Sequence, residues 1–193
     1  LMKAVHEKII RVSINFGYLP RGENTVDSNA PMPSVKELAK ECPMKILVAE
    51  DSFLNQQLLI KTLGKMGYTD VTPANDGHEA FEEIKKAYFG ETPFELIFMD
   101  MQMPNMDGCE ASHHIREFTQ ANPISGREAG PHIIAMTANS FKEDRQACFR
   151  SGMCCFTSKP VQWDLLVQVI EQAYDALHCK RPCRCTISNH LNW

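Results

Sequence analysis

Four short apolar runs, each broken off by a residue with chemistry to offer, constrain this chain more than any other feature. Lys45 to Ala49 (KILVA) runs into Glu50 and Asp51; Leu96 to Met99, inside FELIFMDMQMPNMDG, ends at Asp100; His132 to Met136 (HIIAM) ends at Thr137; Cys154 to Ser158 (CCFTS) ends at Lys159 and Pro160. Apolar runs of this length, bounded by turn residues, predict parallel strands buried on both faces. Parallel strands bring their carboxyl ends to one edge of the sheet, where ligands and chemistry sit in open α/β folds. Three acids, a hydroxyl and an amine then gather there, a set suited to phosphoryl transfer beside a metal.

Helices are expected between the strands. Asp51 or Ser52 can cap one that carries Leu58, Leu59, Leu63 and Met66 at helical spacing and ends at Gly67. Asp70 to Ala74 reads as a further strand, and Asp76-Gly77 as a turn into a helix burying Ala80, Phe81, Ile84 and Ala87. Pro104 and Gly108 shape the turn after Asp100, and Cys109 to Phe118 reads as the next helix. Thr119 to Pro131, with Asn-Pro, Ser-Gly and Gly-Pro, reads as an exposed loop. A helix from Phe141 to about Arg150 packs Ala147 and Phe149 and stops at Gly152; Phe156 reads as a buried strand residue. The last helix starts near Gln162, with Trp163, Leu165, Leu166, Val169, Ile170, Ala173 and Leu177 as its apolar positions. Strands alternating with helices in this way predict a doubly wound three-layer sandwich.

Outside this unit the sequence is poorer. Residues 1–43 read as a short amphipathic stretch (Ala4, Val5, Ile9, Ile10, Val12), a linker from Pro20 to Pro33 and one or two helical turns in Ser34 to Lys40, with no domain of their own. Residues 44–178 form the domain, and residues 179–193 a flexible basic tail. A formal charge of -4 gives no electrostatic reason to bind nucleic acid, and no apolar run is long enough to span a bilayer. Cys42, Cys109, Cys148, Cys154 and Cys155 have no framework-like spacing and are expected to be reduced thiols of a cytoplasmic protein. The tail's Cys179, Cys183 and Cys185, with His178 and His190, contain enough ligands for zinc, but their spacing favours a basic tail.

Crowding Glu50, Asp51 and Asp100 costs several kcal/mol of like-charge repulsion unless a cation offsets it, and Mg²⁺ is the natural companion of one or two carboxylates. The alternative is that Glu50 and Asp51 simply cap a helix. Asp100 is the candidate nucleophile, because a carboxylate accepts a phosphoryl group as a mixed anhydride. Lys159 supplies a fixed positive charge, Thr137 a hydroxyl for a phosphoryl oxygen, and Phe156 an aromatic that could change rotamer with Thr137. A cis Lys159–Pro160 bond would aim the lysine inward.

Taken together, ILVAED, FMDMQMPNMDG, IIAMTAN and FTSKP resemble the receiver domain of two-component response regulators, over about Met44 to Leu177. The resemblance implies a flavodoxin-like, five-stranded parallel sheet of order 2-1-3-4-5. It implies Asp100 as phosphoacceptor, Mg²⁺ held by Asp51, Asp100 and the Gln102 backbone carbonyl, and Glu50 contributing through water. Thr137, the Ala138 backbone amide and Lys159 would contact the phosphoryl group, with Phe156 at the family's aromatic switch position. Two departures stand out: the long Thr119 to Pro131 connection, and Phe156 where tyrosine is commoner. AEDSFLNQQL and MDMQMPNMDG are similar to the receivers of hybrid histidine kinases, which implies a histidine-phosphotransfer protein or a histidine kinase domain as partner. A stand-alone response regulator is the alternative context.

Two other functions compete. An aspartyl-nucleophile phosphohydrolase would place a second acid two residues after the nucleophile, where this chain has Gln102, so slow loss of its own phosphate is expected rather than enzymatic turnover. A receiver-like module working without phosphorylation would not need every acceptor-site group.

Overall fold

The computed structural model describes residues 38–124, 130–138 and 142–178. In chain order these form α1 (Leu38–Glu41), β1 (Ile46–Ala49), α2 (Phe53–Lys65), β2 (Val71–Ala74), α3 (Gly77–Tyr88), β3 (Leu96–Asp100), α4 (Gly108–Ala121), β4 (His132–Thr137), α5 (Lys142–Arg150), β5 (Cys155–Ser158) and α6 (Trp163–His178). All strand pairs are parallel, and the sheet order is β2-β1-β3-β4-β5. The doubly wound, flavodoxin-like expectation holds.

Strand alternation explains why the runs are apolar throughout. Ile46, Val48, Leu96, Phe98, Ile134, Met136 and Cys155 face one layer, packing on Leu59 and Leu63 of α2 and Leu166, Ile170 and Ala173 of α6. Leu47, Ala49, Ile97, Met99, Ile133 and Ala135 face the other, against Ala80 and Ile84 of α3, Ala111 and Ile115 of α4 and Cys148 of α5. With both faces covered, a polar strand position is costly without a partner, and the buried hydroxyl of Thr157 on β5 has none among the described residues. Pro73 is tolerated because β2 is an edge strand.

Local chemistry sets the element ends. Asp76 and Asp107 cap α3 and α4, accepting from the backbone N–H of Glu79 at 2.7 Å and of Glu110 at 2.8 Å. Ser52 occupies the cap position of α2, yet its side chain makes no capping bond. Beyond α2, Gly67 takes φ 97°, a left-handed turn that a side chain would oppose.

The structure corrects several expectations. Leu58 is exposed, because α2 turns it to the side away from Leu59 and Leu63. Ala147 is exposed and Cys148 buried in its place, the helical phase of α5 being one residue off. Ala87 is half-buried, and the buried aromatic of α3's last turn is Tyr88. Phe156 is half-buried. Helix α4 runs on to Ala121, so Thr119 is a buried helical residue, held by a bond from its hydroxyl to the Arg116 carbonyl at 3.1 Å. Cys155 is disulfide-bonded, not reduced. Also outside them lie the stretch before Leu38, Phe141, and the tail with Cys179, Cys183, Cys185 and His190. His178, the last described residue of α6, pairs with Glu95 at 3.2 Å.

Candidate acidic phosphoryl site

Sheet register assembles the site. Ala49 is level with Met99 and Met99 with Ala135, so Glu50 and Asp100 leave the sheet side by side. Thr137 is level with Ser158, which puts Lys159 at the next position along. The Lys159 backbone N–H donates to the Thr137 carbonyl at 2.8 Å, extending the β4–β5 ladder past the strand end. The Lys159–Pro160 bond is cis.

Three carboxylates converge. Glu50, Asp51 and Asp100 each present an oxygen within 4.8 Å of the others; Glu50 and Asp100 are buried and Asp51 is exposed. Lys159 Nζ stands 2.5 Å from Glu50 Oε2 and 2.6 Å from Asp100 Oδ2. One ammonium thus pairs with two of the three carboxylates, and their mutual repulsion is only partly relieved. Burial raises the Asp100 pKa above the ordinary aspartate value; the Lys159 ammonium and the Gln102 backbone N–H, which donates to Oδ1 at 3.2 Å, pull it back. A donor set of hard oxygens with uncompensated charge fits Mg²⁺, which takes few protein carboxylates and keeps its remaining positions for water or phosphate.

The backbone around Asp100 leaves no slack. An ideal Cβ on Gly108 would lie 2.1 Å from the Asp100 carbonyl oxygen, so only glycine allows α4 to start that close beneath the strand end. Asn105, at φ 63°, donates to Asp76 Oδ2 at 2.8 Å and ties the loop after Asp100 to the cap of α3. The Glu79 backbone N–H and the Asn105 amide together hold Asp76 below the usual aspartate range.

Phe156 apart, the residues expected at the site lie at this edge of the sheet. Thr137 is buried at the end of β4, Ala138 is exposed beside it, and Gln102 is exposed just past Asp100. Phe156 lies two residues farther back on β5, edge-on to Phe149 of α5 with centroids 6.5 Å apart.

What this edge belongs to is decided by the match of residues 46–171 to the response regulator receiver domain. The chain is a member of that family. It is 35% identical over 172 residues to hybrid signal transduction histidine kinase H of Dictyostelium discoideum, covering 88% of this chain and 12% of that protein. The chain therefore spans about an eighth of that relative's length. Among solved structures it is similar to the receiver domain of the Arabidopsis thaliana histidine kinase CKI1 complexed with Mg²⁺ and BeF₃⁻ (26% identity, TM-score 0.61, covering 72% of this chain and 95% of that one). It is also similar to a chain in the co-crystal structure of the Saccharomyces cerevisiae phosphotransfer protein Ypd1 with the receiver domain of Ssk1 (28% identity, TM-score 0.57, covering 72% and 91%). This receiver domain thus belongs to two-component phosphorelay signalling.

Two residues of the receiver's site escape a reading of motifs. Asn55 Nδ2 donates to Glu50 Oε1 at 3.0 Å, and Gln56 Nε2 donates to the backbone carbonyls of Glu50 at 3.1 Å and Ala74 at 2.9 Å. Gln56 is buried on the same side of α2 as Leu59 and Leu63. A glutamine in phase with an apolar stripe was the signal available: buried at that position, its amide needs partners, and the strand ends supply them.

Proposed function

We propose that Asp100 accepts a phosphoryl group from a phosphohistidine, making residues 44–178 the switchable unit of a phosphorelay. The observation that carries this is the Lys159 ammonium, 2.6 Å from the Asp100 carboxylate and aligned on it from another strand end. An Asp100 oxygen attacks phosphorus, the P–N bond to the donor imidazole breaks, and the imidazole leaves with its electron pair and takes up a proton. The product is an aspartyl phosphate, a mixed anhydride. Asp51, Asp100 and the Gln102 carbonyl would hold Mg²⁺, with Glu50 acting through water; the ion supplies positive charge to the phosphoryl oxygens. Lys159, the Thr137 hydroxyl and the Ala138 N–H face the same oxygens from the other side and stabilise charge there. Gln102 offers no carboxylate for acid–base work, so the segment accepts and slowly loses its own phosphate rather than turning over an external substrate.

Movement of Thr137 toward the new phosphate frees space along β4 and β5, and Phe156 reorients into it. Because Phe156 packs on Phe149, the change reaches α5 and the surface it forms with β5 and α6. On the donor side, the first two turns of α2 expose Phe53, Leu54 and Leu58 next to Asp51. A phosphotransfer protein bringing its histidine to Asp100 would cover that apolar surface. The length of the similar hybrid kinase supports a parent of that class for this receiver.

The test is phosphorylation by a small phosphodonor such as acetyl phosphate with Mg²⁺, read by intact mass. Wild type gains one phosphoryl group and Asp100→Asn gains none; normal labelling of Asp100→Asn overturns the assignment. Replacing Leu54 and Leu58 with serine is expected to slow transfer from a phosphotransfer protein at least tenfold while leaving the small-donor rate unchanged, since only a macromolecular donor needs that surface.

A further inference from the structure

We infer that Asn55 is a positioning residue for the acid cluster: it fixes the Glu50 carboxylate in the orientation that lets the cluster take a divalent cation. The inference rests on the cation-site reading given above.

The two oxygens of Glu50 have different partners. Oε2 faces Lys159 and Oε1 accepts from Asn55. A carboxylate held through one oxygen rotates about its Cγ–Cδ bond. Held here by Lys159 alone, it would turn both oxygens to the ammonium, drawing that charge toward Glu50 and away from Asp100. Asn55 anchors the second oxygen and blocks this rotation, so Lys159 keeps one oxygen of each acid. The residue type suits the task. A lysine at this position would repel the cation and an aspartate would add a fourth negative charge, whereas a neutral amide orients Glu50 without changing the charge of the cluster.

Gln56 secures the same corner through the backbone. Its amide ties the Glu50 carbonyl to that of Ala74, and the Glu50 N–H donates to Ala74 O at 3.1 Å. Backbone and side chain of Glu50 are thus held by consecutive residues of the first turn of α2. Gln56 is buried, and its loss would remove its bonds to two buried carbonyls, confounding orientation with stability. Asn55 is exposed and can be changed without disturbing the core.

The experiment is a Mg²⁺ titration of the 193-residue chain by isothermal calorimetry, with no phosphodonor, on wild type, Asn55→Ala, Glu50→Gln and the double variant. Loss of one hydrogen bond to a charged group predicts a Kd raised about fivefold or more in Asn55→Ala. Melting should be unchanged. In the Glu50→Gln background the Asn55 substitution should add nothing, because its effect passes through that carboxylate. A Kd within twofold of wild type, or an undiminished effect in the Glu50→Gln background, overturns the inference while the cation site stands. Failure of wild type to bind Mg²⁺ overturns the cation site itself and this inference with it. Should Asn55→Ala fold poorly, Asn55→Ser, compatible with a helix start, takes its place.

Discussion

Each end of the sheet buries a titratable side chain, and the neighbours treat the two in opposite ways. At the carboxyl edge Asp100 sits among charges; at the amino edge His132 sits beside Cys155 Sγ, 3.5 Å away, and near the Arg116 guanidinium. Burial favours the neutral form of both, raising the aspartate and pushing the histidine down to about 4. Lys159 and the Gln102 N–H then work against burial at Asp100, whereas Arg116 works with it at His132. Arg116 is committed elsewhere, donating to the carbonyls of Gly152 and Pro131 at 2.8 Å each and to Cys154 Sγ at 3.3 Å. The difference separates a site from a core. Where neighbours oppose neutralisation, a charge stays available for chemistry; where they complete it, the residue becomes packing.

The comparison is most easily broken through the backbone. If the carboxyl edge is as rigid as the Gly108 contact implies, Gly108→Ala should destabilise by about 3 kcal/mol in urea unfolding, since the new methyl meets main chain that cannot yield. A loss below about 1 kcal/mol would show that α4 can retreat from Asp100.

The amino edge gives the next largest effect. A histidine whose folded pKa lies near 4 stays neutral in the native state while the unfolded chain takes up a proton below its ordinary value of 6.5. Stability therefore falls with pH between 6.5 and 4. At pH 5 the loss attributable to His132 is about 2 kcal/mol relative to pH 7, and His132→Leu should remove that part of the slope in denaturant titrations across the range. An unchanged slope would mean that His132 becomes protonated in place.

Asp100 should show the smallest effect, with opposite sign. A carboxyl whose folded pKa is raised contributes stability at low pH and loses it as pH rises through the folded value. At neutral pH without Mg²⁺ its charge is thus a net burden, and Asp100→Asn should melt a few degrees higher than wild type, the advantage fading on acidification toward the ordinary aspartate range. A lower melting point would show that the Lys159 pair outweighs burial.

Both edges also show how far sequence could be read. Strand ends at Glu50, Asp100, Thr137 and Lys159 were legible because an apolar run stops where the core stops, and that is a local signal. Leu58 and Ala147 were misassigned because helical phase is fixed by where a helix docks, and one residue of rotation exchanges core for solvent. Asn55 and Gln56 stand inside AEDSFLNQQL, yet the sequence assigns neither a role, since neither type announces chemistry until its partners are in place.

The order of polar residues along the chain thus determined the layered fold, the sheet edge that carries the site and the family, because burial on two faces dictates which residues can be apolar and where they must cease. Only tertiary structure decided that Lys159 spans Glu50 and Asp100, that Asn55 holds the other oxygen of Glu50, that Cys155 is joined in a disulfide and that burial beside the Arg116 guanidinium disfavours charge on His132. Those facts depend on register and crossover between segments far apart in sequence, and no local pattern encodes distances across a sheet.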